Sequence, residues 1–255
     1  MLTAIISDIH ANLEALTAVL KDIERQEITE IICLGDIVGY GPDPEGCIDI
    51  IRRCKLTIMG NHDEGVIDGP AVGFTLRARQ ALDWTRDQLK PHWFSGGEKK
   101  ARWKFLDRLP ATYEKDNIFY AHGSPRQPTT EYILRTDCDP MIGSAKLDEI
   151  FSMFKWLCFV GHTHDPGIIP SDQYRFLTPQ EINYTYEVKE GTKFIINVGS
   201  VGQPRDGDKR ACYVTVDGKT IRYQRIEYDY NKTAERIFAS PQLDRYFGER
   251  LALGK

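Results

Sequence analysis

The sequence predicts an α/β chain built on a partly parallel sheet with covering helices. Three observations carry that prediction. Apolar runs alternate with helical stretches through the first sixty residues, in βαβαβ order. Short strand-like segments crowd the second half. Several of the apolar runs end in a polar, chemically useful side chain, as side chains do at the carboxyl edge of parallel strands.

Leu2–Ser7 reads as a buried strand, and Asn12–Gln26 as a helix with Leu13, Leu16, Leu20 and Ile23 on one side. Ile31–Leu34 is a second strand. Cys47–Arg53 reads as a helix that starts after the breakers Gly41-Pro42-Asp43-Pro44, and Leu56–Met59 as a third strand. From about Ala71 to Leu109 the chain turns rich in Arg, Lys, Gln and Trp with helical periodicity. One helix is expected through Phe74, Leu76, Ala81, Leu82, Trp84 and Leu89, and another over Lys99–Leu109. Together they form a helical insertion (71–109), either a partial lid or packing on the outside of the fold. A strand at Ile118–Tyr120, a polar loop over Ser124–Pro140, a helix near Ser144–Phe154 and a strand at Leu157–Val160 follow. From Ile168 onward, strands are expected at Tyr174–Leu177, Tyr184–Val188, Phe194–Val198, Cys212–Val216 and Ile221–Arg225. This half looks antiparallel, with Asp217-Gly218 as a hairpin turn. A helix near Asn231–Ala239 and a polar tail close the chain. No repeat or low-complexity linker appears, so one domain is expected over residues 1–255.

Composition narrows the class. With 41% apolar and 27% charged residues the chain has the make-up of a soluble globular protein. A net charge of −4 gives no whole-chain footprint for nucleic acid. Cys33, Cys47, Cys54, Cys138, Cys158 and Cys212 form no Cys-x-x-Cys pair and read as reduced structural thiols. No targeting segment or membrane-length apolar stretch is visible, so a cytoplasmic location without a membrane partner is expected. The oligomeric state is not legible.

The chemistry is concentrated in short motifs. Five of the six histidines lie in Asp8-Ile9-His10, Gly60-Asn61-His62-Asp63, Ala121-His122-Gly123 and Gly161-His162-Thr163-His164. Gly35-Asp36 shares the layout without a histidine. Aspartate offers hard anionic oxygen, imidazole a borderline nitrogen, and Asn61 a neutral oxygen. Mixed N/O ligation without thiolate suits Mn, Fe, Zn, Co or Ni more than Ca or Mg, and the sequence does not choose among them. The set supplies about enough ligands for two divalent ions, an arrangement fit for phosphoryl transfer. Glycines beside Asp36, Asn61, His122 and His162 leave room for close backbone approach.

The ordered series Asp-x-His, Gly-Asp, Gly-Asn-His-Asp, His, Gly-His-x-His resembles the calcineurin-like metallophosphoesterases, nearest to their small prokaryotic phosphodiesterase branch. Asp8–Leu16 and Asn197–Arg205 also look like that branch. The resemblance implies a four-layer αββα sandwich of two mixed β-sheets flanked by helices. It implies two divalent metal ions, one held by Asp8, His10, Asp36 and His164 and the other by Asp36, Asn61, His122 and His162, with Asp36 shared. The expected reaction is in-line attack on phosphorus by hydroxide held between the ions, on a small or nucleotide-like phosphate ester. His62, kept charged by Asp63, would protonate the leaving alkoxide or stabilise the transition state as imidazolium. Arg205 and Arg126 are candidate phosphate contacts. Tyr40 would flank the substrate or cap the sheet. Asn12 reads as a helix cap, and His92 as a surface residue.

Other readings remain. Gly35-Asp36 continues as Ile37-Val38-Gly39-Tyr40-Gly41, without the Asp-Arg-Gly that protein phosphatases carry just after this motif, and Asn61-His62-Asp63 stands for their Asn-His-Glu. A phosphomonoesterase, a protein phosphatase, a dinucleoside polyphosphate hydrolase and an inactive metal-binding scaffold are the alternatives.

Overall fold

The computed structural model describes residues 2–69, 73–139, 141 and 143–255. Ala71, where the helical insertion was expected to begin, and Pro140, the end of the expected polar loop, lie outside them. Two mixed sheets face each other. The first runs β3(Leu56–Thr57), β2(Glu30–Cys33), β1(Thr3–Ile6), β10(Ala211–Asp217), β11(Thr220–Ile226), β8(Thr185–Glu187). The second runs β4(Thr112–Lys115), β5(Ile118–Ala121), β6(Leu157–Val160), β9(Phe194–Asn197), β7(Gly167–Pro170).

Strand alternation divides the core into layers. In β1, Ile5 points to the second sheet while Ala4 and Ile6 meet α1(Leu13–Arg25) and α2(Pro44–Ile51). In β6, Leu157 and Phe159 face the first sheet, while Cys158 and Val160 meet α6(Ser144–Ser152). Helices on one outer face, two sheets and a helix on the other give the expected four layers.

Asn12 caps α1, its Oδ1 accepting from Ala15 N at 3.1 Å. The second helix starts at Pro44 rather than Cys47, because proline suits the first helical position and has no amide hydrogen to leave unpaired. The insertion folds as α4(Leu76–Leu89) and α5(Gly97–Asp107), both packed against α2 and α3(Asn61–Asp68). Phe74 precedes α4, and Leu76, expected on its apolar side, is 72% exposed. α3 itself was hidden, because its first turn is the Asn61-His62-Asp63 motif. β4 was hidden too; Thr-Tyr-Glu-Lys is polar because the strand is an edge.

The strands of the second half pair antiparallel with one another, as expected: β7 with β9, β10 with β11 and β11 with β8. One pairing with the first half departs from that pattern. β9 runs parallel to β6, as β6 does to β5. All four β9 residues are buried, the mark of a strand covered on both faces. Tyr174–Leu177 is not a strand; Tyr174 has φ 45°, which breaks extended backbone, and only Leu177 bridges to Ile168. The hairpin joins β10 to β11 through Gly218 and Lys219, with Gly218 at φ 60°. The tail after α7(Tyr230–Phe238) is not a loose polar end: Leu243, Phe247 and Leu251 are buried with Ala81 and Ile237, against Tyr40. All six cysteines are free thiols. Among the described residues, no helix is long and apolar enough to cross a membrane.

Candidate metal centre

β1, β2 and β3 run parallel, so their carboxyl ends share one edge; β5, β6 and β9 do the same in the other sheet. Asp8 follows β1, Asp36 follows β2, Asn61 follows β3, His122 follows β5 and His162 follows β6. Where the two edges meet, the structure brings together Asp8, His10, Asp36, Asn61, His122, His162 and His164. None is more than 9% exposed.

The turns that carry these groups are strained. Asp8, His10, Asp36, His162 and His164 all have positive φ, between 48° and 65°. L-residues adopt that region at a cost, and only where neighbours hold them there. Backbone bonds do the holding: Asp8 N donates to Gly35 O at 3.1 Å, His10 N to Asp36 O at 2.9 Å, and Gly202 N to Asp8 O at 2.8 Å. Two glycines are needed for space. A Cβ on Gly60 would lie 2.2 Å from Asp36 Oδ1, and one on Gly161 would lie 2.5 Å from Asp8 Oδ2.

The ring orientations define the donor set. His10 Nδ1 meets Val38 O at 3.2 Å, His122 Nδ1 meets Leu34 O at 3.0 Å, and His164 Nδ1 meets Gln203 O at 2.5 Å. His162 Nε2 meets Thr130 O at 3.1 Å. A carbonyl only accepts, so each outward nitrogen carries the proton and each inward nitrogen of a neutral ring presents a lone pair. Those lone pairs converge. His10 Nε2 is 3.1 Å from His164 Nε2, and His122 Nε2 is 3.1 Å from both His162 Nδ1 and Asn61 Oδ1. Acceptors facing acceptors repel unless a cation lies between them. Imidazoles oriented by carbonyl bonds on their far side are the usual setting of metal ligands.

Asp36 sits in the middle. Its Oδ1 accepts from His62 N at 2.8 Å, while Oδ2 lies 3.6 Å from His10 Nε2 and 3.3 Å from His122 Nε2. Asp8 Oδ2 accepts from His162 N at 3.1 Å, and its Oδ1 is buried without a hydrogen-bond partner, 3.0 Å from His164 Nε2. Ligands ~2.0–2.2 Å from a common ion stand about 3–3.6 Å apart, so these spacings fit. Among the described residues, no Lys or Arg pairs with either carboxylate, although buried charge requires compensation. Burial pushes Asp36 up, but His122 and His62 outweigh it and hold the carboxyl well below its ordinary range. Burial depresses His122, and Asp36 beside it reverses this, lifting the ring to about 9, so a proton competes with a cation for its inward nitrogen and must leave before the ring can ligate. The donor set would fit divalent cations, with Asp36 Oδ2 lying between its two halves.

His62 reaches the same site from the first turn of α3, with ring centroids 4.8 Å from His10 and 4.4 Å from Tyr40. Its Nδ1 is buried without a hydrogen-bond partner. Asp63 does not pair with it. Asp63 Oδ1 accepts from Ile37 N at 2.9 Å and Val38 N at 3.3 Å, and Oδ2 from Gly60 N at 3.1 Å. Successive helical side chains diverge, so Asp63 clamps the Asp36 loop and leaves His62 alone. Burial holds His62 down to about 4, with Asp36 opposing and Arg205 adding to the depression.

A cleft of about 670 Å³ opens from Asn61, His62 and His162. Tyr40, Phe74, Tyr132 and Phe247 wall it, and Arg205 lines it. Tyr132 stacks on His162 at 3.9 Å, and Phe74 meets His62 edge-on at 5.0 Å. Tyr40 is thus a wall of the cleft. Arg126 is not brought in: it is absent from the cleft lining and is held by Glu131 at 2.7 Å and Glu149 at 2.5 Å, which offset its charge. His92 is exposed, as expected. Phe74, Tyr132, Phe247 and Arg250 line the cleft without a motif to announce them.

Comparison with known proteins follows the same line. The model of the calcineurin-like phosphoesterase superfamily domain matches residues 1–220. An uncharacterized protein of Methanocaldococcus jannaschii is 38% identical over 260 aligned positions, which cover 99% of this chain and 98% of its own length. A metallophosphoesterase from Sphaerobacter thermophilus is 36% identical with a TM-score of 0.82, over 100% of this chain and 99% of that one. A hypothetical protein of Pyrococcus horikoshii OT3 shares the fold at 21% identity, with a TM-score of 0.75 over 100% and 98% of the two chains.

Proposed function

Since this chain belongs to the calcineurin-like phosphoesterase superfamily and is a metal-dependent phosphoric ester hydrolase by that kinship, we propose that it is a phosphodiesterase acting on a small, nucleotide-like ester. The observation that carries the reading is the cage of converging lone pairs around Asp36 Oδ2, opening into an aromatic-walled cleft far larger than one phosphate. Such walls favour organic groups on both sides of phosphorus, the outline of a diester.

Asp8, His10, Asp36 and His164 would hold one ion, and Asp36, Asn61, His122 and His162 the other; manganese is the first metal to try. Paired divalent ions, when bound, activate water and offset charge on phosphoryl oxygens. The chain's own groups do the rest. The outward carbonyls fix each imidazole tautomer before substrate arrives. His62, neutral through burial, offers a ring N–H to the leaving oxygen as negative charge grows there. Tyr132 and Phe74 orient the organic part of the ester, and Arg205 adds positive charge to the wall.

The test is a comparison of bis-p-nitrophenyl phosphate with p-nitrophenyl phosphate, using manganese-loaded protein and a chelated control. The expected result is a higher kcat/KM for the diester, abolished by chelation. A monoester hydrolysed as well or better would overturn the diester preference. Two bound metals with no turnover of either ester would overturn the enzymatic reading.

A further inference from the structure

Arg205 and Arg250 line the cleft together and reach for the same atom. Arg205 Nη2 donates to Gln203 Oε1 at 2.9 Å, and Arg250 Nη1 to the same oxygen at 3.2 Å. Two guanidiniums therefore share one neutral acceptor. Among the described residues, no Asp or Glu side chain forms an ion pair with either; Arg77, also at the cleft, is by contrast neutralised by Asp244 at 2.9 Å. Arg205 Nε is buried with no hydrogen-bond partner. Arg250 spends its Nε on the main-chain oxygen of Lys255 and lies 5.2 Å over the ring of Tyr246.

Like charges gathered in a partly buried cleft repel, and a buried donor without a partner is costly, so the arrangement is incomplete as it stands. A planar guanidinium presents paired N–H groups that match phosphate oxygens. The pair is also held in register with the metal centre. Gln203 O fixes the His164 ring, and Arg205 N donates to His164 O at 3.3 Å. Tyr40 packs 4.6 Å from His10 and lies 6.0 Å beneath the Arg205 guanidinium. Arg205 thus lies against the same Tyr40 ring as His10, beside the cage rather than in it.

We infer that Arg205 and Arg250 seat a second phosphoryl group of the substrate, so that the preferred ester carries two phosphates. This rests on the reading above for the place of the first phosphate and narrows it to a bisphosphate or pyrophosphate-linked nucleotide. It also accounts for the C-terminal tail, in which Phe247 and Leu251 bury themselves so that Arg250 reaches the cleft.

The experiment is calorimetric titration of AMP and of ADP into protein loaded with manganese and dialysed free of excess metal. Wild type should bind ADP at least about tenfold more tightly than AMP. Arg250→Gln should shrink that ratio to about threefold or less, and Arg250→Lys, which keeps the charge, should retain most of it. A wild type that binds the two nucleotides equally would overturn the assignment whatever the variants do. So would a ratio untouched by Arg250→Gln in a folded, metal-loaded variant. Titration needs no turnover, so an inactive protein that still prefers ADP would count against the phosphodiesterase reading alone.

Discussion

Replacing Gly60 by alanine puts a methyl group into Asp36. The added Cβ would stand 2.2 Å from Asp36 Oδ1 and 2.3 Å from Asp36 N. Ordinary C···O contacts are about 3.3–3.6 Å, so roughly 1 Å has to open between the two turns. Neither side yields easily. Asp36 Oδ1 is engaged by His62 N at 2.8 Å, and Gly60 N donates to Asp63 Oδ2 at 3.1 Å. Overpacking of this kind costs about 1–3 kcal/mol. For a chain of this size that is a fall in Tm of about 2–4 °C per kcal/mol. The larger effect falls on the site. Asp36 Oδ2 is the atom both halves of the cage share, so displacing it should weaken metal binding about 10–100-fold, the range for lost support around a ligand. The assay is manganese titration with metal content counted after dialysis, beside a thermal melt. Wild type should retain two equivalents per chain and Gly60→Ala fewer. A Gly60→Ala protein that holds two equivalents at wild-type affinity would refute the shared role of Asp36.

Three further outcomes are expected. His62→Ala should lower kcat by about 10²–10³-fold, the usual worth of one hydrogen-bond donor aimed at developing charge, and spare metal content; metal lost with unchanged turnover per bound metal would contradict its role. Asp63→Ala strands three backbone N–H groups and should cost several kcal/mol at about 1–3 each, whereas Asp63→Asn, which keeps an acceptor, should cost much less in urea unfolding; equal costs would argue against the clamp. Glu14 links α1 to α7 through Arg236 and Lys232; burial pushes its carboxyl up, but its own backbone N–H and those two cations outweigh this and lower it from 4.5. A depressed folded value means its stabilisation is complete above pH 4.5 and fades as pH falls through the depressed range. Glu14→Gln should therefore flatten the acid side of a Tm–pH profile, and an unchanged slope would refute the linkage.

The amino-acid sequence by itself determined the strands that carry the candidate ligands and marked which side chains those are. Asp8, Asp36, Asn61, His122 and His162 each follow a run whose burial demands apolar residues, and the polar residue that ends the run stands out against it. Glycine beside them is equally legible, because Gly60 and Gly161 answer to close approach of Asp36 and Asp8. What only the tertiary structure decided depends on contacts between distant segments. The parallel pairing of β9 with β6 is set by which neighbour covers Phe194–Asn197, not by its own composition. Asp63 adjoins His62 in sequence yet turns to the Asp36 loop, since helical geometry separates neighbours that a string of letters sets side by side. Arg205 and Arg126 look alike on paper; the packing of Glu131 and Glu149 withdraws one from the cleft, and the burial of Phe247 delivers Arg250 beside the other. Local pattern encodes which atoms can ligate, whereas the direction in which a charge is spent depends on what the folded chain places opposite it.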